Sequence, residues 1–169
     1  MRGREGFLAL GVLAAALVFL GSRAFDADGR FDPTRARPAE VLSGGEGRLT
    51  LRAGPGGHFF FEGQANGAPI RFMVDTGATI TALTRSDAAR AGIEVAERDF
   101  AYTVSTANGE ARVARGVLGE LVIGDVVLED LAVTTSQDDR LGGSLFGLNG
   151  LNRFGRREAS ANELVLIAE

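Results

Sequence analysis

The sequence predicts an all-β domain of about 110 residues, preceded by a hydrophobic segment and a linker. Three observations carry that prediction. Glycine supplies 24 of 169 residues, about twice the usual ~7%, which favours tight turns. Two Asn-Gly pairs, Asn66-Gly67 and Asn108-Gly109, each separate two runs rich in apolar and β-branched residues, the pattern of a type I′ hairpin. Only two short stretches carry a helical pattern.

The elements follow in chain order. Residues 1–5 hold Arg2 and Arg4, and residues 6–22, "GFLALGVLAAALVFLGS", run without a charge. As a helix of about 1.5 Å per residue this run would reach roughly 25 Å, the short end of a membrane span, with a cytoplasmic N-terminus and the rest of the chain across the membrane. The small residues around Arg23 suit a signal peptidase equally, so a transmembrane signal anchor and a cleaved signal peptide are both open. Residues 23–50 mix charges with Pro and Gly and predict a linker, leaving 51–169 as the folded domain. The glycines of "AGPGG" are followed by no Gly-Lys-Ser/Thr, which excludes a phosphate-binding loop.

Within the domain, "HFFFEGQANGAPIRFMVD" (58–75) predicts a hairpin turning at Asn66-Gly67, and "FAYTVSTANGEARVARGVL" (100–118) a second turning at Asn108-Gly109. "GELVIGDVVLEDLAVTT" (119–135) predicts strands turning at Gly124-Asp125, and "ELVLIAE" (163–169) a closing strand. Helices are expected at 86–91, with Ser86 as N-cap and Gly92 as stop, and at 148–154.

Composition excludes several classes. The formal net charge is −4 and the arginines are scattered, so no basic stripe marks a nucleic-acid surface. There is no cysteine, which removes disulfides and thiolate chemistry. His58 is the single histidine and has no acidic neighbours, so it predicts a turn or strand-edge residue and no metal site. Tyr102, on an alternating strand, fits cleft, core or surface alike.

Asp75 is the residue that composition does not explain. It ends the apolar run Phe72-Met73-Val74 and is followed by Thr76, Gly77 and Ala78. An acid there is costly unless partnered. Either it caps a turn by accepting backbone N–H bonds, or it does chemistry.

The stretch "MVDTGAT" resembles the active-site loop of the retropepsin-like aspartic proteases. Three further pieces stand in that family's order: an upstream hairpin, a glycine-tipped hairpin at Thr106, Ala107, Asn108 and Gly109 where the family has its substrate-covering flap, and "LFGLNGL" (145–151), similar to the segment leading into the family's C-terminal helix. The resemblance covers roughly 58–169 and is nearest to the membrane-anchored, single-lobe proteases of bacteria. It implies a closed acid-protease β-barrel, an aspartic endopeptidase acting on peptide or protein substrates, no cofactor and no metal, and an inner-membrane location with the domain on the periplasmic side.

It also implies two carboxylates sharing a proton. The chain holds one Asp-Thr-Gly, and the alternatives Asp125, Asp138 and Asp139 have turn contexts and are expected to be solvated. The second carboxylate is therefore expected from Asp75 of another copy in a two-fold homodimer. The resemblance assigns Thr76 to hydrogen bonds across the dimer, Gly77 to close approach of the two loops, and Ala78 to the place where pepsin-like lobes carry a hydroxyl, which implies a less acidic pH optimum. Ile80, Leu83 and Phe146 are expected to line the cleft. Asn149 stands where many family members carry Asp or Asn, and the chain end is a candidate dimer strand. A catalytically silent module of the same fold that binds a protein partner is the competing reading. The aspartyl-phosphate enzymes lack support, because neither Asp-Lys-Thr-Gly nor a βα alternation is present.

Overall fold

Alternation between buried and exposed residues organises the chain from Arg48 to Ile167 in the computed structural model, which describes residues 42–43, 45, 47–106, 109–138 and 141–168. The predicted membrane segment 6–22, most of the 23–50 linker, and Ala107, Asn108 and Asp139 lie outside the described residues. Among the described residues no helix is long and apolar enough to cross a membrane.

The strands are β1 (Leu42–Ser43), β2 (Arg48–Arg52), β3 (Phe60–Ala65), β4 (Ala68–Val74), β5 (Thr81–Leu83), β6 (Tyr102–Thr106), β7 (Gly109–Ile123), β8 (Val126–Ser136), β9 (Ser144–Phe146), β10 (Arg156–Ala159) and β11 (Glu163–Ile167). Seven of them form one sheet in the order β3-β4-β9-β5-β8-β7-β6. A further pairing of β3 with β7, Gln64 opposite Val122 and Ala65 opposite Leu121, closes six of these strands into a barrel and leaves β6 attached outside the closure.

Closure depends on two small features. A Cβ on Gly63 would come within 2.9 Å of the Leu121 side chain and 3.1 Å of the Val122 carbonyl oxygen, so only glycine lets β3 approach β7. Asn66 (φ 48) and Gly67 (φ 81) make the left-handed two-residue turn that the sequence predicts. The Asn66 side chain then accepts from Glu120 N–H at 3.0 Å and donates to the Ala91 carbonyl at 2.9 Å, tying the turn to β7 and to a helix end.

The other hairpins separate in their turns. Ile123 pairs with Val126, so Gly124-Asp125 forms the connection as expected. Thr106 pairs with Gly109, so Gly109, expected in the turn, is the first residue of β7. Thr106 Oγ1 donating to the Gly109 carbonyl at 2.7 Å closes this end of the ladder.

The second sheet has the order β1-β2-β11-β10. Leu49 and Leu51 are buried between the more exposed Arg48, Thr50 and Arg52, a five-residue alternation that flanking glycines conceal in the sequence; the expected linker therefore gives way to strand at Arg48. The closing strand β11 lies between β2 and β10, so both of its edges are paired within the chain. The candidate dimer strand β11 thus has no unpaired ladder edge from Leu164 to Ile167 within this chain. The charged stretch after Phe154 contributes the exposed strand β10.

Helix α1 (Arg85–Arg90) starts earlier than predicted: Thr84, not Ser86, is the N-cap, its hydroxyl accepting from Asp87 N–H at 3.1 Å. Helix α2 (Leu148–Leu151) is shorter than the predicted 148–154 and continues as hydrogen-bonded turns to Phe154. The barrel interior is packed around Phe61, Phe72 and Phe146, with ring centroids 5.1 to 6.4 Å apart, stacked for Phe61–Phe72 and edge-to-face for the other two pairs.

Candidate active site

Strand periodicity decides where Asp75 points. On β4, Ile70, Phe72 and Val74 pack toward the core, so Arg71, Met73 and Asp75 fall on the other face. Arg71 is half-buried over the Phe60 ring at 4.9 Å; that burial pulls its guanidinium below its ordinary pKa, and Glu62 opposes the shift.

The backbone of Asp75 is fixed to β9: its N–H donates to the Phe146 carbonyl at 3.0 Å, continuing the parallel pairing of Val74 with Phe146. The carboxylate is half-buried, and Oδ1 accepts from Gly77 N–H at 2.8 Å. That is the one hydrogen bond to the Asp75 carboxylate among the described residues. Ala78 N–H returns to the Asp75 carbonyl at 3.2 Å, which makes residues 75–78 a tight turn. Thr76 and Gly77 are exposed at its tip.

A second layer holds this turn from beneath. Leu148 N–H donates to the Ala78 carbonyl at 2.8 Å, and Asn149 N–H to the Thr79 carbonyl at 3.1 Å. Such approach requires Gly147, where a Cβ would sit 2.7 to 2.8 Å from backbone atoms of Ala78, Ile80 and Thr81. The Asn149 side chain completes the clamp: Oδ1 accepts from Thr81 N–H at 2.8 Å and from Thr81 Oγ1 at 3.0 Å, while Nδ2 donates to the Ala132 carbonyl at 2.7 Å. Thr81 Oγ1 in turn accepts from Gly147 N–H at 3.2 Å. Three chain segments, 75–81, 132 and 147–149, thus converge on one amide side chain.

Two cavities open beside the turn. The larger, about 410 Å³, is lined by Asp75, Gly77 and Ala78, by Met73 and Leu145, and by Ser105, Thr106 and Glu110 of the β6–β7 hairpin, with Asp138 and Leu141 contributing. The smaller, about 220 Å³, is lined by Ala78, Thr79, Ile80, Ala82, Val104 and Val113, among others.

The structure therefore brings Asp75, Gly77, Ala78 and Thr106 of the predicted residues to one cavity; Thr76 sits exposed on the adjoining tip, and Gly109 is exposed opposite Thr106. Ala107 and Asn108 lie outside the described residues. Two expectations are corrected. Leu83 and Phe146 line no cleft, being fully buried in the core where alternation sends them inward, whereas Ile80 lines the smaller cavity. Asp138 is not a solvated turn residue: it is half-buried and lines the larger cavity together with Asp75. Asp125 is exposed at the far β7–β8 turn. Tyr102 is exposed beneath the Arg115 guanidinium, 4.1 Å from its ring centroid, and lines neither cavity. His58 is exposed after a 3₁₀ turn, and no cluster of potential metal ligands occurs among the described residues. Sequence reasoning gave no role to Thr81, Glu110 or Ser105; their positions follow only from strand pairing.

Residues 61–153, more than half of the chain, match the model of the gag-polyprotein putative aspartyl protease family. The crystal structure of a retropepsin-like aspartic protease from Rickettsia conorii superposes with a TM-score of 0.64 and 33% identity, covering 72% of this chain and 91% of that one. An uncharacterized Sinorhizobium protein of the cobV 5′ region is 34% identical over 130 residues, 76% of this chain and 56% of that protein. An uncharacterized protein of Rickettsia prowazekii (strain Madrid E) is 38% identical over 78 residues, 46% of this chain and 34% of that protein. The matched segments thus span about half and a third of the lengths of these two relatives.

Proposed function

This chain belongs to the gag-polyprotein putative aspartyl protease family and has the retropepsin-like fold, and from that premise we propose that it is an aspartic endopeptidase whose active site forms between two copies. The observation that carries the proposal is the Asp75 carboxylate: one oxygen is fixed by Gly77 N–H, and the group lines a cavity of about 410 Å³.

One carboxylate is insufficient for the chemistry. Attack of water on a peptide carbonyl needs a base to take the water proton and an acid to hydrogen-bond the carbonyl oxygen. Two carboxylates a few ångströms apart supply both, since they cannot both ionise and share a proton instead. Within this chain the Asp-Thr-Gly-Ala turn occurs once, and its tip, Thr76-Gly77, is exposed. A two-fold axis at that tip would bring Asp75 of each copy together. The ionised Asp75 takes a proton from the water held between the pair; the protonated Asp75 donates to the scissile carbonyl; the water oxygen bonds to the carbonyl carbon. The resulting diol collapses with proton transfer to the leaving amine. In this reading Thr76 bonds across the dimer, and the β6–β7 hairpin, with Thr106 to Gly109 at its tip, covers an extended substrate. The uncharged run 6–22 supports an anchor in the inner membrane, with the domain on the periplasmic side. Confinement in that plane would favour dimerisation.

The Gly77–Asp75 hydrogen bond is also what turn-capping alone would produce, which favours the silent binding module as the second reading. The full chain in detergent separates the two. Cleavage of a diverse peptide library that rises faster than linearly with enzyme concentration and disappears in Asp75→Asn supports the endopeptidase. A folded, dimeric wild type that cleaves nothing at any pH defeats it.

A further inference from the structure

The β6–β7 hairpin reaches the Asp75 cavity with little support from the core. Tyr102, Thr103, Val104 and Ser105 of β6 are exposed, and among the described residues β6 pairs with β7 alone. A two-stranded ribbon is marginal by itself. Yet Ser105, Thr106, Glu110 and Ala111 line the larger cavity together with Asp75, so the seat of the hairpin sets the width of that space. That seat is decided at the root of the hairpin.

The root joins segments that lie far apart in the chain. Phe100, two residues before β6, is fully buried, with the Arg85 guanidinium of α1 5.2 Å from its ring centroid. Its carbonyl accepts from Arg112 Nη2 at 2.5 Å, and Arg112 stands opposite Thr103 in the β6–β7 ladder. The Arg112 carbonyl accepts from Gln137 N–H at 2.9 Å, which carries the β7–β8 pairing past Val113 and Ser136. The neighbours of Arg112 and Gln137 in the chain, namely Ala111, Val113, Ser136 and Asp138, line the two cavities.

Three residues close this root into a ring. Gln137 Nε2 donates to Glu97 Oε1, Glu97 Oε2 accepts from Arg85 Nη2 at 3.4 Å, and Arg85 Nη1 donates to the Gln137 carbonyl at 3.4 Å. Glu97 opens the 3₁₀ turn Glu97–Asp99 that leads into Phe100. Arg85, Glu97 and Gln137 are not among the described residues lining either cavity. The Arg85–Glu97 ion pair is exposed, so it contributes little to stability. What the ring fixes is direction: it ties the chain entering β6 and the chain leaving β8 to the start of one helix.

We propose that Arg85, Glu97 and Gln137 are positioning residues that set the seat of the β6–β7 hairpin beside Asp75, and through it the affinity for an extended peptide. The consequence in cleavage rests on the endopeptidase reading, whereas the seating of the hairpin and peptide binding do not.

The test uses the full chain in detergent. In Glu97→Ala, amide exchange in β6 and the facing part of β7 is expected to quicken by about 10-fold, while exchange in the β3–β4 ladder keeps its wild-type rate. KM for peptide cleavage should rise about 5-fold with kcat within about 2-fold, the split that follows when binding common to substrate and transition state is lost. The melting temperature should stay within about 4 °C of wild type, which excludes a general loosening of the fold. In an Asp75→Asn background, which removes turnover, adding Glu97→Ala should weaken peptide affinity by the same factor of about 5. Gln137→Glu sets two carboxylates against each other and should act in the same direction. The swapped pair Glu97→Gln/Gln137→Glu again places one carboxylate against one amide and should return exchange and KM to within about 2-fold of wild type. Unchanged exchange in the hairpin of Glu97→Ala, or a change that the swapped pair does not reverse, overturns the proposal. Unchanged peptide affinity in the Asp75→Asn background overturns it too. Faster exchange and weaker binding, both reversed by the swapped pair, in a chain that cleaves nothing would sustain the positioning role and defeat the endopeptidase reading.

Discussion

Asp75 and Asp87 are two acids hung from the same short strand. Asp75 is tied through its backbone to Phe146 of β9; Asp87, in the first turn of α1, is tied through its side chain to Ser144 of β9. Around Asp87 every polar atom is engaged. The Ser144 hydroxyl donates to Oδ2 at 2.5 Å, Arg90 pairs with Oδ1, and the Ser144 oxygen also accepts from Thr84 N–H at 3.2 Å. Asp87 is only 8% exposed and acts as a fastener between helix and barrel. Asp75 has a single hydrogen bond to its carboxylate among the described residues, and it lines a cavity. The contrast teaches that an acid's role is set by how many of its carboxylate oxygens the fold engages: with both engaged, as in Asp87, the acid fastens, and with one engaged, as in Asp75, the acid is left on the wall of a cavity.

Breaking each acid in turn should separate the roles. The largest effect follows from the proposed endopeptidase: in Asp75→Asn peptide cleavage is expected to fall by at least about 10³-fold, because the proposed dyad would lose its ionised base. Its melting temperature should stay within about 2 °C of wild type, since one exposed turn bond changes. A large loss of stability would instead make Asp75 a second fastener.

Asn149→Ala should fall between the two acids. It removes two bonds to Thr81 and one to Ala132 and takes from the buried Thr81 N–H and O–H donors the acceptor they share, so urea unfolding should show a loss of about 2 to 3 kcal/mol. Because the same side chain supports the 75–81 turn, kcat should also drop by roughly 10-fold. An unchanged kcat in the folded variant would mean that the turn holds its own geometry.

For Asp87→Ala the expected loss is about 2 kcal/mol, that of a charged hydrogen bond with its partner stranded. Specific activity per folded molecule should remain within about 2-fold; a collapse of activity without unfolding would blur the comparison.

The smallest change is expected for Ala78→Ser. Beside the proposed dyad, an added hydroxyl would hydrogen-bond a carboxylate, and the expected outcome is a pH–rate optimum moved to lower pH, with stability altered by less than about 0.5 kcal/mol. A shift upward would contradict the role given to Ala78.

The legibility of these features followed their range along the chain. The Asn66-Gly67 hairpin, the apolar alternation of β4 and the single Asp-Thr-Gly-Ala turn are local, and sequence alone indicated them. The N-cap at Thr84 was misread as Ser86, because both residues suit a cap and only the backbone decides which of them enters it. Alternation at Arg48–Arg52 was hidden by neighbouring glycines, and the strand exists because β11 offers it a paired edge. Asn149 was noticeable as a residue type, while its contact with Thr81 spans 68 positions. Asp138 has the local context of any polar turn residue, and its place on the cavity of Asp75 follows only from the fold.

The sequence by itself determined which face each strand residue takes, where tight left-handed turns are possible, and that this domain has one acid in an active-site-like turn. Those properties depend on side-chain chemistry and on periods of two residues. Only the tertiary structure decided that β3 closes on β7, that β11 is enclosed between β2 and β10, and that Glu110 and Asp138 share a cavity with Asp75. Backbone donors and acceptors are alike at every residue, so pairing across long separations is selected only when the whole barrel can bury its apolar faces with its ladders satisfied.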